Sequence, residues 1–261
     1  MSAPDDAMLQ SLAFANMIEA YRAVARHDPA GMVEEADRLV TIATSIPFPL
    51  FNPAVLTHPG GDPARLAARA RDFYARAGHP GLLLAEDAAA VENAAPLVAS
   101  GALAPGDPIP GMLLAPIPDP PAAAEALQIA VVATPERLLA YNDTLAAGYG
   151  LPRDWLAIFE TPATLRIPGL TFYLGSLEGG PVATAMRFTS HRIAGIYSVA
   201  TLPAFRRRGI GTALTWRAAA DGRAEGCLAS ALQASAEGFP VYRRMGYRHV
   251  ADYQTWIITP S

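Results

Sequence analysis

Three consecutive arginines, Arg206, Arg207 and Arg208, run into two glycines one residue apart, Gly209 and Gly211. Upstream lie Val199, Ala200, Thr201 and the breaker Pro203. Downstream the chain turns apolar at helical spacing, with Ile210, Ala213, Leu214 and Trp216, and Thr212 between them. The pattern reads as a strand, a basic loop and the start of a helix. The first turn of a helix carries unpaired N–H groups and a partial positive charge. Glycine lets a ligand come close to those groups, and the arginines add formal charge. A pyrophosphate is what such a junction holds. It is not a lysine-bearing phosphate loop, because all 20 basic residues are arginine, and this also excludes a Schiff-base lysine. It lacks the third glycine and the spacing of the dinucleotide fingerprint.

Composition narrows the choices further. With 51% hydrophobic and 17% charged residues, the chain has ample material for a packed core and is not a disordered tail. Cys227 is the only cysteine, so neither an internal disulfide nor a cysteine-rich metal site is possible, and no metal is expected. No apolar run approaches the roughly 20 residues that cross a bilayer. The acidic start, Met1-Ser2-Ala3-Pro4-Asp5-Asp6, lacks the positive opening of a signal peptide, so a cytoplasmic protein is expected. Arginine without lysine, together with abundant Ala, Gly and Pro, reads as the codon bias of a GC-rich bacterial genome. The net charge of −4 is uneven: 15 acids and 7 arginines up to Glu125 give −8, and 9 acids and 13 arginines beyond it give +4. The basic half is only mildly so and has no long arginine stripe, which favours a phosphorylated small ligand over nucleic acid.

These residues need elements to position them. Seven prolines between Gly101 and Pro121 exclude a helix or a central strand there, although Met112–Ala115 could form an edge strand. A domain boundary is expected between Pro118 and Glu125, giving domains 1–125 and 126–261. In the first, helices are expected over Met8–Arg26, from an Asp62-Pro63 cap to Ala77, and over Ala88–Ser100, with strands at Leu39–Thr44 and Leu82–Leu84. In the second, a strand at Leu127–Val132 leads to a helix capped by Thr134-Pro135-Glu136 and running to Ala147, then a short helix at Asp154–Glu160. A hairpin of Thr171–Leu177 and Val182–Thr189 and a strand at Arg192–Thr201 follow. A helix over Gly209–Glu225, a strand at Cys227–Gln233, a short helix at Phe239–Met245 and two final strands, Tyr247–Asp252 and Tyr253–Ile258, complete the chain.

At Arg206-Arg207-Arg208-Gly209-Ile210-Gly211 the sequence resembles the GNAT superfamily of N-acetyltransferases, whose signature there is R/Q-x-x-G-x-G/A. The stretch Leu232–Tyr247, with Tyr242 and the pair Gly246-Tyr247, resembles that family's second motif. The likeness covers Leu127–Ile258. It implies an α/β fold with a mixed central sheet, in which the parallel strands Arg192–Thr201 and Cys227–Gln233 splay apart at their C-terminal ends. It implies acetyl-CoA as co-substrate, with the pantetheine arm near Val199, Ala200 and Thr201. The pyrophosphate is then expected on the amides of residues 207–212, which makes Arg206, Arg207, Arg208, Gly209, Ile210, Gly211 and Thr212 cofactor-binding.

The resemblance makes Tyr242 the general acid for the leaving thiolate, and a backbone N–H near Val199 the group that polarises the thioester carbonyl. Some members place a glutamate on the strand before the loop, but Ile193–Ser198 holds no acid. Glu160, His191 and His249 are the remaining candidate bases, each reading more readily as a surface or structural residue. Water, or an amine that loses its proton readily, takes the role instead. Cys227 reads as a small apolar residue, not a nucleophile. Ser235 stands where the family often has asparagine.

The first half echoes the same order of elements without a basic loop. His58-Pro59-Gly60-Gly61 stands where one would be. It resembles the N-terminal part of tandem acetyltransferases, a degenerate copy that shapes the acceptor cleft. The function expected is acetyl transfer to an amine of a small molecule or peptide, by a monomer or homodimer that engages neither nucleic acid nor membrane. The alternatives are a non-catalytic acyl-CoA-binding sensor or structural module, and another phosphate-ligand protein that shares only the loop.

Overall fold

A computed structural model describes residues 5–58, 62–86, 88–121 and 126–259. In chain order the elements are α1 Asp6–His27, β1 Met32–Ala36, β2 Leu39–Ala43, β3 Pro53–Leu56, α2 Pro63–Ala77, β4 Gly81–Ala85, α3 Ala88–Ala99, β5 Ala104–Pro105 and β6 Ile109–Leu114. There follow β7 Gln128–Val131, α4 Pro135–Tyr149, β8 Leu170–Leu177, β9 Gly180–Ser190, β10 Ile193–Thr201, α5 Ile210–Ala224, β11 Ala229–Gln233, α6 Phe239–Arg244 and β12 Arg248–Ile258. Short 3-10 turns occupy Arg153–Phe159 and Pro203–Phe205, the first where a short helix is expected.

The chain forms two compact units, each built from two segments. The larger holds Met1–Ala20 and Gly111–Val250, the smaller Tyr21–Pro110 and Ala251–Ser261. Against a single cut between 1–125 and 126–261, this division places the internal cut between Pro110 and Gly111 and exchanges segments at both ends of the chain. Leu9 and Ala13 of α1 pack with Ile193, Ala229 and Ala231 in the larger unit. The last strand, β12, pairs antiparallel with β4 through Gln254↔Ala85 to Ile258↔Gly81 in the smaller one.

In the larger unit the strands run β6-β11-β10-β9-β8-β7, every neighbouring pair antiparallel except β10 and β11. Tyr173, Ala185, Ala194 and Ile196 face a core shared with Leu214, Trp216, Ala218 and Ala219 of α5. Caps of the expected kind set α4: the Thr134 side chain accepts from the Arg137 N–H, Pro135 opens the helix, and Gly150 closes it in the left-handed region. Asn16 of α1, 0% exposed, is the polar pin of this unit. Its amide donates to the carbonyls of Phe188 and Ile193 and to Ser190 Oγ, and its Oδ1 accepts from the Tyr197 hydroxyl at 2.9 Å. Residue 195 must be glycine beside it, since a Cβ there would lie 2.1 Å from Asn16 Oδ1.

The smaller unit has antiparallel β1-β2-β3, then β4 parallel to β3, with β12 beyond. Three of its strands, β1, β3 and the two-residue β5 that pairs with β12, are missing from the sequence reading. β1 carries Glu34 and Glu35, whose partners are Arg69, Arg76 and Arg22, so its apolar pattern is weak. β3 opens on Pro53 after a 3-10 turn. The two final strands expected at 247–252 and 253–258 are one, because burial of Ala251 and Tyr253 about an exposed Asp252 keeps strand alternation through the supposed break. Among the described residues no helix is long and apolar enough to cross a membrane.

The Asn16–Gly195 contact yields a double-mutant test. Gly195→Ala is expected to lower stability by about 2 kcal/mol through overpacking, and by less than about 1 kcal/mol when added to Asn16→Ala. Urea midpoints of the four proteins measure both costs. Equal costs in the two backgrounds would show that the side chains do not compete for one space.

Candidate active site

The site begins where β10 leaves β11. Parallel pairing covers only Ile193↔Ala229, Ala194↔Ser230 and Gly195↔Ala231, although β10 continues to Thr201 and β11 to Gln233. On its other side β10 stays paired with β9 through Thr201↔Ala183, with a bulge between Tyr197 and Ala200. Ser198 in that bulge has φ of +52°, the left-handed region that residues other than glycine rarely adopt. The Thr184 hydroxyl on β9 donates to the Ser198 carbonyl at 2.9 Å.

Beyond Thr201 the chain turns through Pro203–Phe205 into the arginines. Arg207 has φ of +60° and Gly209 of +75°, so the loop coils tightly before α5. Gly209 is the N-cap of α5 and supplies no side-chain cap. The first-turn N–H groups therefore keep the donor capacity and partial charge that an anion requires. Gly211 presents its bare Cα toward Thr201 and Val199, where a Cβ would meet Thr201 Oγ1 at 3.4 Å and Val199 Cγ1 at 3.6 Å. The ten residues expected at the cofactor, Val199–Thr201 and Arg206–Thr212, lie along one strand end, one loop and one helix start, with the turn Pro203–Phe205 between the two runs. The three arginines differ in use. Arg206 donates to the carbonyls of Thr201 and Gly148 and holds the loop against the end of α4. Arg208 lies over the Phe205 ring at 5.5 Å. All three are exposed.

Tyr242, on α6, packs its ring 5.8 Å from that of Tyr247 and meets Thr215 of α5 through its hydroxyl. Thr215 in turn donates to the Gly211 carbonyl at 2.9 Å. The phenol predicted from the second motif is thereby brought to the first turns of the helix predicted from the first. Burial pushes the Tyr242 phenol above its ordinary value, with the Thr215 contact opposing that rise. Ser235 Oγ accepts from the Gly238 N–H and so caps the turn into α6.

The candidate bases do not converge on this point. Glu160 accepts from Arg153, which also bonds Asp143. His191 lies in the turn between β9 and β10, at the end of β10 opposite the loop. His249, on β12, sets its ring edge-on to Phe239 at the start of α6. Cys227 precedes β11 instead of opening it, and burial pushes its thiol up, against a nucleophilic role. Among the described residues no group of three or more His, Cys, Asp or Glu is placed to hold a metal ion.

Three residues at this end have no motif to announce them. Thr184 supports the bulge. Tyr141 of α4 is buried, with its hydroxyl near the side chains of Ser198 and Thr184 but without a hydrogen-bond partner. Tyr197 is held by Asn16. Only strand pairing and the seating of α4 bring them to the loop.

Residues 139–247 match the profile of the Acetyltransferase (GNAT) family. No curated protein matches the sequence. Among solved structures, a GCN5-related N-acetyltransferase from Kribbella flavida superposes with a TM-score of 0.66 at 21% identity, covering 95% of each chain. One from Sphaerobacter thermophilus gives 0.62 at 16% identity, covering 87% of this chain and 83% of that one. A tandem GNAT protein from the clavulanic acid biosynthesis pathway gives 0.59 at 15% identity, over 90% and 85%. At these identities the likeness is one of fold. Residues 139–247 therefore match a GNAT acetyltransferase domain, and the mixed α/β fold is shared with those structures.

Proposed function

We propose that the larger unit is an N-acetyltransferase that moves an acetyl group from acetyl-CoA to an amine of a small molecule or peptide. GNAT domains use acyl-CoA as co-substrate. The observation that carries the acetyl-CoA reading is two openings at one end of the sheet: β10 parts from β11 after Gly195↔Ala231, and nothing caps the first turn of α5 by side chain. The pantetheine arm is assigned to the edge of β10 at Val199, Ala200 and Thr201. The pyrophosphate is assigned to the loop and first turn, from Arg206 to Thr212, with Arg207 and Arg208 supplying charge and Arg206 holding the loop in shape.

The chemistry follows from the bulge. Because Ser198 turns its carbonyl to Thr184, the planar trans peptide directs the Val199 N–H away from Thr184 and β9. That donor is assigned to the thioester oxygen, where charge develops as the amine nitrogen attacks the carbonyl carbon. A C–N bond forms, the C–S bond breaks, the nitrogen gives up its proton to water, and the sulfur leaves as thiolate and takes a proton. Tyr242 is assigned to the leaving sulfur. Its raised pKa keeps it protonated and able to donate at neutral pH. A free thiol titrates at about 8.5, below a phenol at about 10, so a hydrogen bond to the forming thiolate is its main contribution and water completes the protonation. No carboxylate lies on Ile193–Ser198, and Glu160 is held by Arg153, which favours an amine that arrives neutral.

The smaller unit is proposed as a degenerate copy that binds no CoA. Its parallel strands remain paired from Pro53↔Leu82 to Val55↔Leu84, one residue short of the end of each, and so leave no gap. Its helix α2 is capped by Asp62, whose carboxylate accepts from Ala64 and Arg65 and places negative charge where a phosphate would sit. Of His58-Pro59-Gly60-Gly61, only His58 lies within the described residues.

Three outcomes are expected. Gly211→Val adds methyl groups beyond a Cβ that itself fits, so acetyl-CoA binding should fall at least about 10-fold by calorimetry with the thermal midpoint little changed. Unchanged affinity would remove the pyrophosphate assignment. The wild-type protein should bind one acetyl-CoA per chain, and a stoichiometry of two would overturn the degenerate reading. Tyr242→Phe should lower kcat roughly 10²-fold with little change in acetyl-CoA affinity, and activity loss from phenol ionisation should begin only above about pH 10. A kcat within a factor of about three of wild type would make Tyr242 a packing residue.

A further inference from the structure

The bulge in β10 has a support that the family motifs do not specify. Thr184 is 0% exposed and stands on β9 opposite Ala200, the first paired residue after the bulge. Its neighbours along β9, Ala183 and Ala185, are buried and apolar, and valine would fill its place in a strand at least as well. A hydroxyl so deeply buried is retained at a cost unless it is bonded. Its bond goes to the Ser198 carbonyl, within a residue pair that has left ordinary strand geometry, Ser198 at φ of +52°. Near the same two residues lies the buried Tyr141 hydroxyl, which has no hydrogen-bond partner, so the Thr184 hydroxyl is the group that holds the Ser198 carbonyl.

We infer that Thr184 is a positioning residue for the acetyl-transfer step: its hydroxyl holds the Ser198–Val199 peptide so that the Val199 N–H points at the thioester oxygen. This rests on the acetyltransferase reading above. The peptide is planar, so fixing one end of it fixes the other. Without the Thr184 hydroxyl the Ser198 carbonyl loses its partner, and the peptide is free to turn back toward ordinary strand geometry, swinging the Val199 N–H with it. A polarising donor works only when aimed at the oxygen's position as charge develops, so a rotation of that peptide costs rate more than it costs affinity.

The test uses the full chain and acetyl-CoA labelled with ¹³C at the carbonyl, and needs no acceptor. Wild type should bind it and move the carbonyl resonance downfield, the signature of a polarised C=O. Thr184→Val should bind with affinity within a factor of about two but show less than about half of that displacement. Thr184→Ser, which keeps the hydroxyl, should restore it. If Thr184→Val fails to fold, Thr184→Cys replaces the hydroxyl with a weak donor of similar size and should give an intermediate displacement. With an accepted amine, kcat should fall about 10-fold in Thr184→Val at nearly unchanged KM for acetyl-CoA. A purely structural threonine would lower the thermal midpoint and leave the carbonyl resonance of bound acetyl-CoA where wild type has it. That result, with binding intact, overturns the role of Thr184 and spares the acetyltransferase reading. Failure of wild type to bind labelled acetyl-CoA at all overturns the reading itself.

Discussion

Everything at the candidate site depends on one constraint: backbone N–H and C=O groups in a folded chain need partners. Along most of β10 the neighbours β9 and β11 supply them. After Gly195↔Ala231 one neighbour is gone, while β9 stays in register to Thr201. A strand paired on only one side offers its other edge to a ligand of extended shape, as an added strand would use it. The bulge at Ser198 and Val199 then re-aims one peptide within that edge, and the loop that follows delivers a helix start to the same place. Strand parting, bulge and helix terminus are three consequences of how one strand ends.

The two units show what that ending is worth, because their topologies are alike. Each has three or more antiparallel strands, then a parallel pair joined by a helix, then an antiparallel strand. In the smaller unit the parallel pair stays together and an aspartate occupies the helix N-terminus. In the larger the pair parts and a glycine occupies it. The difference is a few backbone hydrogen bonds and one carboxylate, and a carboxylate at a helix N-terminus opposes an anion that a bare terminus favours. A shared fold therefore carries no function by itself; the local chemistry at the end of one strand does.

Each unit is also completed by chain from far away in sequence. Asn16 reaches across 172 to 181 residues to bond Phe188, Ile193 and Tyr197, and the final strand returns to pair with β4. Such long closures fix the sheet that carries the bulge, because the amide of Asn16 ties β9 to β10 near Tyr197, the residue at which their regular register ends. The residues that shape the site's walls thus belong partly to a helix that no motif would connect with it.

Sequence alone determined the elements whose signal is local. Caps at Asp62 and Thr134, the periodicity of α1, α4 and α5, the hairpin of β8 and β9, and the arginine–glycine junction all rest on residues within a few positions of one another, and each stands where it was read. The family resemblance of that junction extended this to the fold and to the parting of the parallel strands. Tertiary structure decided what depends on distant partners. β1 hides its pattern behind glutamates that arginines on other elements neutralise, and β12 reads as two strands until the burial of Ala251 and Tyr253 joins them. The domain division has one cut inside the proline-rich stretch, between Pro110 and Gly111, and two more that follow α1 and β12 to the sheets they complete. Arg206 is drawn to carbonyls of Thr201 and Gly148 that no spacing rule connects. Thr184 and Tyr141 are ordinary residues on a strand and a helix until β9 and α4 set their hydroxyls against Ser198. Local propensity is written in neighbouring residues; a polar partner across a sheet is chosen only when the chain has closed around it.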